Sequence, residues 1–114
     1  MTTNALCCRE AKEKLNLDWV TGFLEGEGGF YVRHEKKRLR FEIRFAQNEA
    51  ALLRRIATFL DAGKVFKVNR HHPYYQLVIT RSIELDRLIP LLEPRLQSVR
   101  KRKQFHKWKR SRDR

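Results

Sequence analysis

An α+β domain, in which helices back a four-stranded antiparallel sheet, is the fold class the sequence predicts, and three observations carry the prediction. Residues 38–47 alternate without a break, with Phe41, Ile43 and Phe45 on one face and Arg38, Arg40, Glu42 and Arg44 on the other. That is the pattern of a strand with one buried and one charged face. Residues 49–60 set Leu52, Leu53, Ile56, Phe59 and Leu60 at helical spacing. Between an earlier helical segment and the first period-two run stand Gly28 and Gly29, the punctuation that separates helix from strand.

In chain order, residues 1–14 show no clear period and read as a loose arm. A helix follows over residues 19–26, with Asp18 as N-cap and Leu17 stapled against its first turn. Residues 30–34 turn to period two and form a strand, joined to 38–47 as a hairpin through Glu35, Lys36 and Lys37. Asn48 is placed to cap the helix over 49–60, and Ala62-Gly63 stops it. Residues 64–69 and 74–80 make a second hairpin around Arg70-His71-His72-Pro73, with Tyr75, Leu77 and Ile79 inward and Gln76, Val78 and Thr80 outward. The parity of 64–69 stays open, because Val65 and Phe66 are both apolar. Residues 82–92 form a third helix closed by Glu93-Pro94, and residues 98–114 a basic last helix with Phe105 and Trp108 on its inner face. The order is α-β-β-α-β-β-α with an extra C-terminal helix.

At 114 residues and 41% hydrophobic composition, residues 1–114 make one domain with a small core. A formal charge of +13 implies a polyanionic partner, nucleic acid first. No apolar run approaches the ~20 residues of a spanning helix and no signal-peptide pattern is seen, so a membrane partner and secretion are not expected. Cys7 and Cys8 are adjacent, too strained to bridge, and read as reduced thiols of an intracellular protein. His34, His71, His72 and His106 are too scattered for a zinc site.

The chemistry concentrates in residues 19–30. Gly22 and Gly26 lie four apart and form a bare helical stripe along which a second backbone can approach. Glu27 stands at the bottom of that contact. If two such helices cross there, two carboxylates meet, and a hard divalent cation relieves their repulsion most simply. A carboxylate at a helix C-terminus is itself disfavoured by the macrodipole, which also argues for a compensating cation.

The run Val20-Thr21-Gly22-Phe23-Leu24-Glu25-Gly26-Glu27-Gly28 resembles, position by position, the motif that names the LAGLIDADG homing endonucleases. The similarity continues through Phe41-Glu42-Ile43-Arg44-Phe45-Ala46-Gln47, and through Leu88-Ile89-Pro90-Leu91-Leu92 followed by Arg100-Lys101 and Phe105, from about Leu15 onward. Glu25 stands where Asp is commoner in the family. The resemblance implies a site-specific endonuclease that cuts double-stranded DNA at a long, pseudo-palindromic target, leaving short 3′ overhangs, and that serves intron homing. It implies Mg²⁺ or Mn²⁺ as cofactor, with Glu27 as metal ligand and catalytic residue. Gln47 would orient a water, and a basic residue, Arg100 or Lys101, would stand near the scissile phosphate; the sequence does not choose between them. Only one motif is present, since Phe59-Leu60-Asp61-Ala62-Gly63 lacks the glycine stripe and reads as a helix C-cap. The second half of the site therefore comes from a second copy, and the family reading makes the chain a homodimer through Gly22, Glu25 and Gly26. The cellular setting it implies is a bacterial or archaeal cytoplasm or an organelle.

The outward positions Tyr31, Arg33, Arg38, Arg40, Arg44, Lys67, Asn69, Arg70, Gln76 and Thr80 are candidate DNA contacts, because a twisted ribbon fits the major groove, where Arg recognises guanine and Gln or Asn adenine. His71 and His72 read as solvated turn residues. The C-terminal basic run, from Arg95 through Arg100, Lys101, Arg102, Lys103, Lys107, Lys109, Arg110, Arg112 and Arg114, suits sequence-independent phosphate contact. The alternative on the same scaffold is a protein that binds without cutting, either an intron-splicing maturase on structured RNA or a DNA-binding regulator.

Overall fold

In the computed structural model, which describes residues 15–68 and 74–114, the first helix, α1 (Leu17–Glu27), opens at Asn16. The Asn16 side chain accepts the Trp19 amide at 2.9 Å. Asp18, the expected cap, lies instead in the first turn, where its charge suits the helix N-terminus and meets Arg95 at 3.2 Å. Val20, Thr21 and Leu24 form the buried side of α1, and the Thr21 hydroxyl donates to the Leu17 carbonyl at 2.6 Å, so its burial leaves no polar group unsatisfied.

α1 passes without a linker into β1 (Gly28–Glu35). The helix stops at Gly28, its C-cap, as expected, and Gly28 and Gly29 are already the first residues of the strand. β1 turns through Lys36 and Lys37 into β2 (Arg38–Gln47), in a register that pairs Gly28 with Phe45 and Glu35 with Arg38. α2 (Ala50–Leu60) follows with Glu49 at its N-cap position and no side-chain cap. Asn48, expected there, donates its backbone amide to Gln47 Oε1 at 2.9 Å. At Gly63 the backbone is left-handed, φ 83°, and an added Cβ would come within 2.7 Å of Leu77 and 2.8 Å of Ile79, so both conformation and space require glycine there.

β3 (Lys64–Lys67) and β4 (Tyr75–Ile79) complete a four-stranded antiparallel sheet in the order β1-β2-β4-β3. The register resolves the parity left open in the sequence: Val65 pairs with Leu77 on the core side and Phe66 with Gln76 on the outer side. α3 (Ser82–Leu92), a 3₁₀ turn (Glu93–Arg95) and α4 (Val99–Asp113) close the fold. α4 starts at Ser98, whose hydroxyl oxygen accepts the Lys101 amide at 3.2 Å.

One face of the sheet is covered by helices. Ile43, Phe45, Leu77 and Ile79 from the strands meet Leu24, Leu53, Leu85 and Phe105 from the helices, all essentially buried. Burying side chains of the size of Phe105 or Trp108 stabilises by roughly 1.5–3 kcal/mol each. The two rings fix α4 against β1: Phe105 packs edge-on to Phe30 at 5.0 Å, and Trp108 Nε1 donates to the Tyr31 carbonyl at 2.9 Å. Among the described residues no helix is long and apolar enough to cross a membrane. The expected N-terminal arm with Cys7 and Cys8, and the turn residues Asn69, Arg70, His71 and His72, lie outside the described residues.

Candidate active site and basic sheet face

The junction of α1 and β1 is built by close approach. A Cβ on Gly28 would run into the Arg44 carbonyl oxygen of β2 and lie 3.0 Å from Leu24 Cδ1, so only glycine lets the helix end sit directly on the strand. Gly29 is confined by softer neighbours, Gln104 Oε1 at 2.8 Å and Lys101 Nζ at 3.1 Å from the position of a Cβ. These two come from one turn of α4. Gln104 Oε1 accepts the Phe30 amide at 3.1 Å, and Lys101 Nζ donates to the Gly28 carbonyl at 2.6 Å.

Glu27, the last residue of α1, is thereby flanked by a residue whose carbonyl holds an ammonium. The Glu27 carboxylate is exposed and engages no hydrogen bond or ion pair among the described residues. Burial pushes the Lys101 ammonium below its ordinary pKa, the Arg100 charge pushes the same way, and the Glu25 charge opposes both. Arg100 itself is exposed and makes no hydrogen bond or ion pair among the described residues. Of the two basic candidates, Lys101 is the one at the junction. Gln47 ends β2, two residues past the Gly28–Phe45 pair and opposite Tyr75 of β4, and its side-chain oxygen is engaged by the Asn48 amide.

Glu25 has work within the chain. Its Oε2 accepts the amides of Gln97 at 2.7 Å and Ser98 at 2.6 Å, which ties α1 to the start of α4. Gly22 and Gly26 are exposed, and a Cβ on either would meet nothing within 4 Å. Beside them Trp19 is 42% exposed and stacks on Phe23 at 5.2 Å. One face of α1 is thus a bare, partly apolar stripe.

The opposite face of the sheet is basic. Cross-strand partners share a face, so the register sets Tyr31, Arg33 and Glu35 of β1 beside Glu42, Arg40 and Arg38 of β2. Val78 and Gln76 of β4 stand beside Arg44 and Ala46, and Thr80 follows at the strand end, its hydroxyl donating to the Phe41 carbonyl at 3.3 Å. Of these, Arg33, Arg40, Glu42, Arg44, Gln76, Val78 and Thr80 line a concave trough of about 900 Å³ that reaches Phe66 and Arg81. Tyr31, Arg33, Arg38, Arg40, Arg44, Gln76 and Thr80 are on the face expected of them. Lys67 is not: it pairs with Tyr75, on the core-side parity, and borders the trough only from the outermost strand. Lys64 and Phe66 take the outer positions on β3, and the undecided parity of Val65 and Phe66 is why they were missed.

Part of the basic C-terminal run is occupied internally. Arg95 pairs with Asp18 at 3.2 Å, Lys109 with Glu93 at 3.0 Å and Arg112 with Asp86 at 2.8 Å. Arg102 Nε donates to the Leu96 carbonyl. Lys103, Lys107 and Arg110 remain exposed on α4.

A hard divalent cation fits the donor chemistry at Glu27, a free carboxylate at a helix end. Among the described residues no three of His, Cys, Asp and Glu come together, so one chain offers a single acidic ligand there.

Comparison with known proteins gives one consistent result. Residues 20–111 match the family model described as LAGLIDADG endonuclease. The homing endonuclease I-TnaI is 28% identical, with a TM-score of 0.72 over 84% of this chain and 70% of that one. The meganuclease I-AabMI, solved bound to uncleaved DNA, is 27% identical with a TM-score of 0.75, over 87% of this chain but 36% of its own length. The archaeal intron-encoded homing endonuclease I-Vdi141I, solved in complex with DNA, is 25% identical with a TM-score of 0.62, over 68% of this chain and 54% of that one. This chain therefore spans much less than the full length of the latter two. No curated protein matches it.

Proposed function

The chain belongs to the LAGLIDADG endonuclease family, and from that premise we propose that it is a site-specific DNA endonuclease, a homodimer that hydrolyses phosphodiester bonds with a divalent metal. The observation that carries the reading is the convergence at the α1–β1 junction. Glu27, whose carboxylate makes no hydrogen bond or ion pair among the described residues, ends α1, and the partly buried ammonium of Lys101 holds the carbonyl of the next residue, Gly28, at one end of a basic, concave sheet.

Two protomers docked through the Gly22/Gly26 stripe bring two Glu27 carboxylates to one axis, and each sheet then follows the major groove of one half of the target. The Glu27 pair holds Mg²⁺ or Mn²⁺; when bound, the metal supplies Lewis-acid activation of water for attack on phosphorus and stabilises the leaving 3′ oxygen. Lys101 contributes a positive charge beside the phosphate under attack, where charge accumulates in the transition state. The Gly28 carbonyl holds it in place. Gln47, at the end of β2, adds a neutral amide that can orient a water without competing for metal.

The test uses a duplex recovered by selecting the wild-type protein on randomised DNA. Glu27→Gln should lose Mg²⁺-dependent cleavage of that duplex by about 10²–10³-fold, the scale of removing one group that stabilises transition-state charge, while binding it in chelator as well as wild type. Full cleavage by the variant sinks the assignment. Structured RNA that outcompetes the selected duplex at equal ionic strength would move the reading to a splicing role.

A further inference from the structure

Glu42 is 2% exposed and, with Thr21, is one of the two buried polar side chains among the described residues. It does not point into the core. Its register partner is Tyr31 on the outer face of the sheet, so it is buried beneath the arginines of the basic trough. On a surface meant only to grip phosphates, a central carboxylate is a defect, because it subtracts charge and repels the ligand. Burying it is costly as well unless its oxygens are paired.

The pairing is directional. Glu42 Oε1 lies 2.7 Å from Arg44 Nε, and Oε2 lies 3.5 Å from a terminal nitrogen of Arg33. The Arg44 guanidinium also lies over the Tyr31 ring, 4.4 Å from its centroid. Arg44 is thus held at its Nε by a buried carboxylate and across its plane by an aromatic face. Its neighbour on β1 is Gly29, which has no side chain to crowd it, and its neighbour on β4 is Val78. Neither terminal nitrogen makes a hydrogen bond or ion pair among the described residues, and together they match the N7 and O6 acceptors on the major-groove edge of guanine. A long side chain fixed in this way loses less freedom on binding than a solvated one.

Resting on the reading of the sheet as a DNA-binding face, we infer that Glu42 is a positioning residue for sequence recognition, which with Tyr31 holds Arg44 to read one guanine. The carboxylate trades overall affinity for discrimination at one base pair.

That trade gives the test a sign that simple electrostatics does not. Wild type, Glu42→Gln, Tyr31→Leu and Arg44→Ala, each as the full chain, are selected on randomised duplex DNA in chelator. Each is then titrated on the best wild-type duplex and on its single-base variants. Wild type should fix a guanine whose preference Arg44→Ala erases. Glu42→Gln should lower the preference at that same position about tenfold or more, the scale of one bidentate base contact, while binding unrelated duplex as tightly as wild type or more so. Tyr31→Leu, at an exposed position, should weaken the same base preference without disturbing a buried group. If Glu42→Gln raises all affinities together and keeps the guanine preference, Glu42 only tunes charge and the inference is overturned. If Arg44→Ala changes no base preference, the assignment of Arg44 as reader is overturned. If wild type fixes no position at all, the reading of the sheet as a site-specific DNA surface fails, and the inference falls with it.

Discussion

Replacing Glu25 by Ala removes the acceptor of two backbone amides at once, those of Gln97 and Ser98, at 2.7 and 2.6 Å from a single carboxylate oxygen. Hydrogen bonds to a charged group contribute roughly 1.5–3 kcal/mol each. Because Glu25 is half-exposed and one oxygen serves both donors, the pair belongs near the low end of that range. A further ~0.3–1 kcal/mol comes from an anion at the N-terminus of α4. The expected cost of Glu25→Ala is about 2–4 kcal/mol, which for a domain of this size lowers Tm by roughly 8–16 °C. Glu25→Gln keeps an oxygen acceptor without its charge and should cost about half as much. Urea denaturation followed by circular dichroism measures both, at one fixed protein concentration because association adds to apparent stability. The loss should also reach function, since Lys101 is in the first turn of α4 and its hold on the Gly28 carbonyl depends on where that helix begins. An Ala variant within about 0.5 kcal/mol of wild type, the range of an ordinary surface substitution, would refute the idea that this carboxylate anchors α4.

Gly22→Leu should dissociate the dimer and leave each protomer folded, because an added Cβ meets nothing within 4 Å in the protomer; sedimentation with circular dichroism checks both halves, and a variant that sediments like a dimeric wild type counts against the stripe as interface. Gly28→Ala and Gly29→Ala should differ in kind. The first forces a Cβ against the Arg44 carbonyl and should cost about 1–3 kcal/mol of stability, whereas the second displaces only the ends of Gln104 and Lys101 and should lose cleavage with little change in Tm.

The legible parts of the fold were those where one period runs unopposed. The strand over 38–47 and the helix over 82–92 have the bounds their patterns give, and Phe105 and Trp108 are the inner face of the last helix. Illegible features depended on contacts between elements. Asn16 and Asp18 are both good caps two residues apart; Asn16 takes the Trp19 amide, while Asp18 meets Arg95, seventy-seven positions away. Glu42 was on the correct face, but nothing local says that Arg33 and Arg44 fold over it, since that cover comes from long side chains on two strands. One missed inference was available. Lys101 is four residues before Phe105 and seven before Trp108, so the phase of the buried rings already turns Lys101, and not Arg100, toward the sheet.

The acid and the ammonium at the junction come from two helices far apart in the chain. Glu27 is the last residue of a helix that becomes a strand at the next residue, and Gly28 is pinned because nothing larger fits against Arg44. Lys101 arrives on a helix fixed at its start by Glu25 and along its length by Phe105 and Trp108. Glu25 and Glu27 therefore differ in what they engage: the first is turned inward to hold α4, and the second makes no hydrogen bond or ion pair among the described residues. The bare Gly22/Gly26 stripe lies on the same helix, so whatever docks there bears directly on the residue that ends it. If α1 makes the dimer contact and Glu27 is the catalytic acid, as proposed, the two belong to one rigid unit, which is the arrangement a site assembled from two copies requires for its two acids to meet in a fixed geometry.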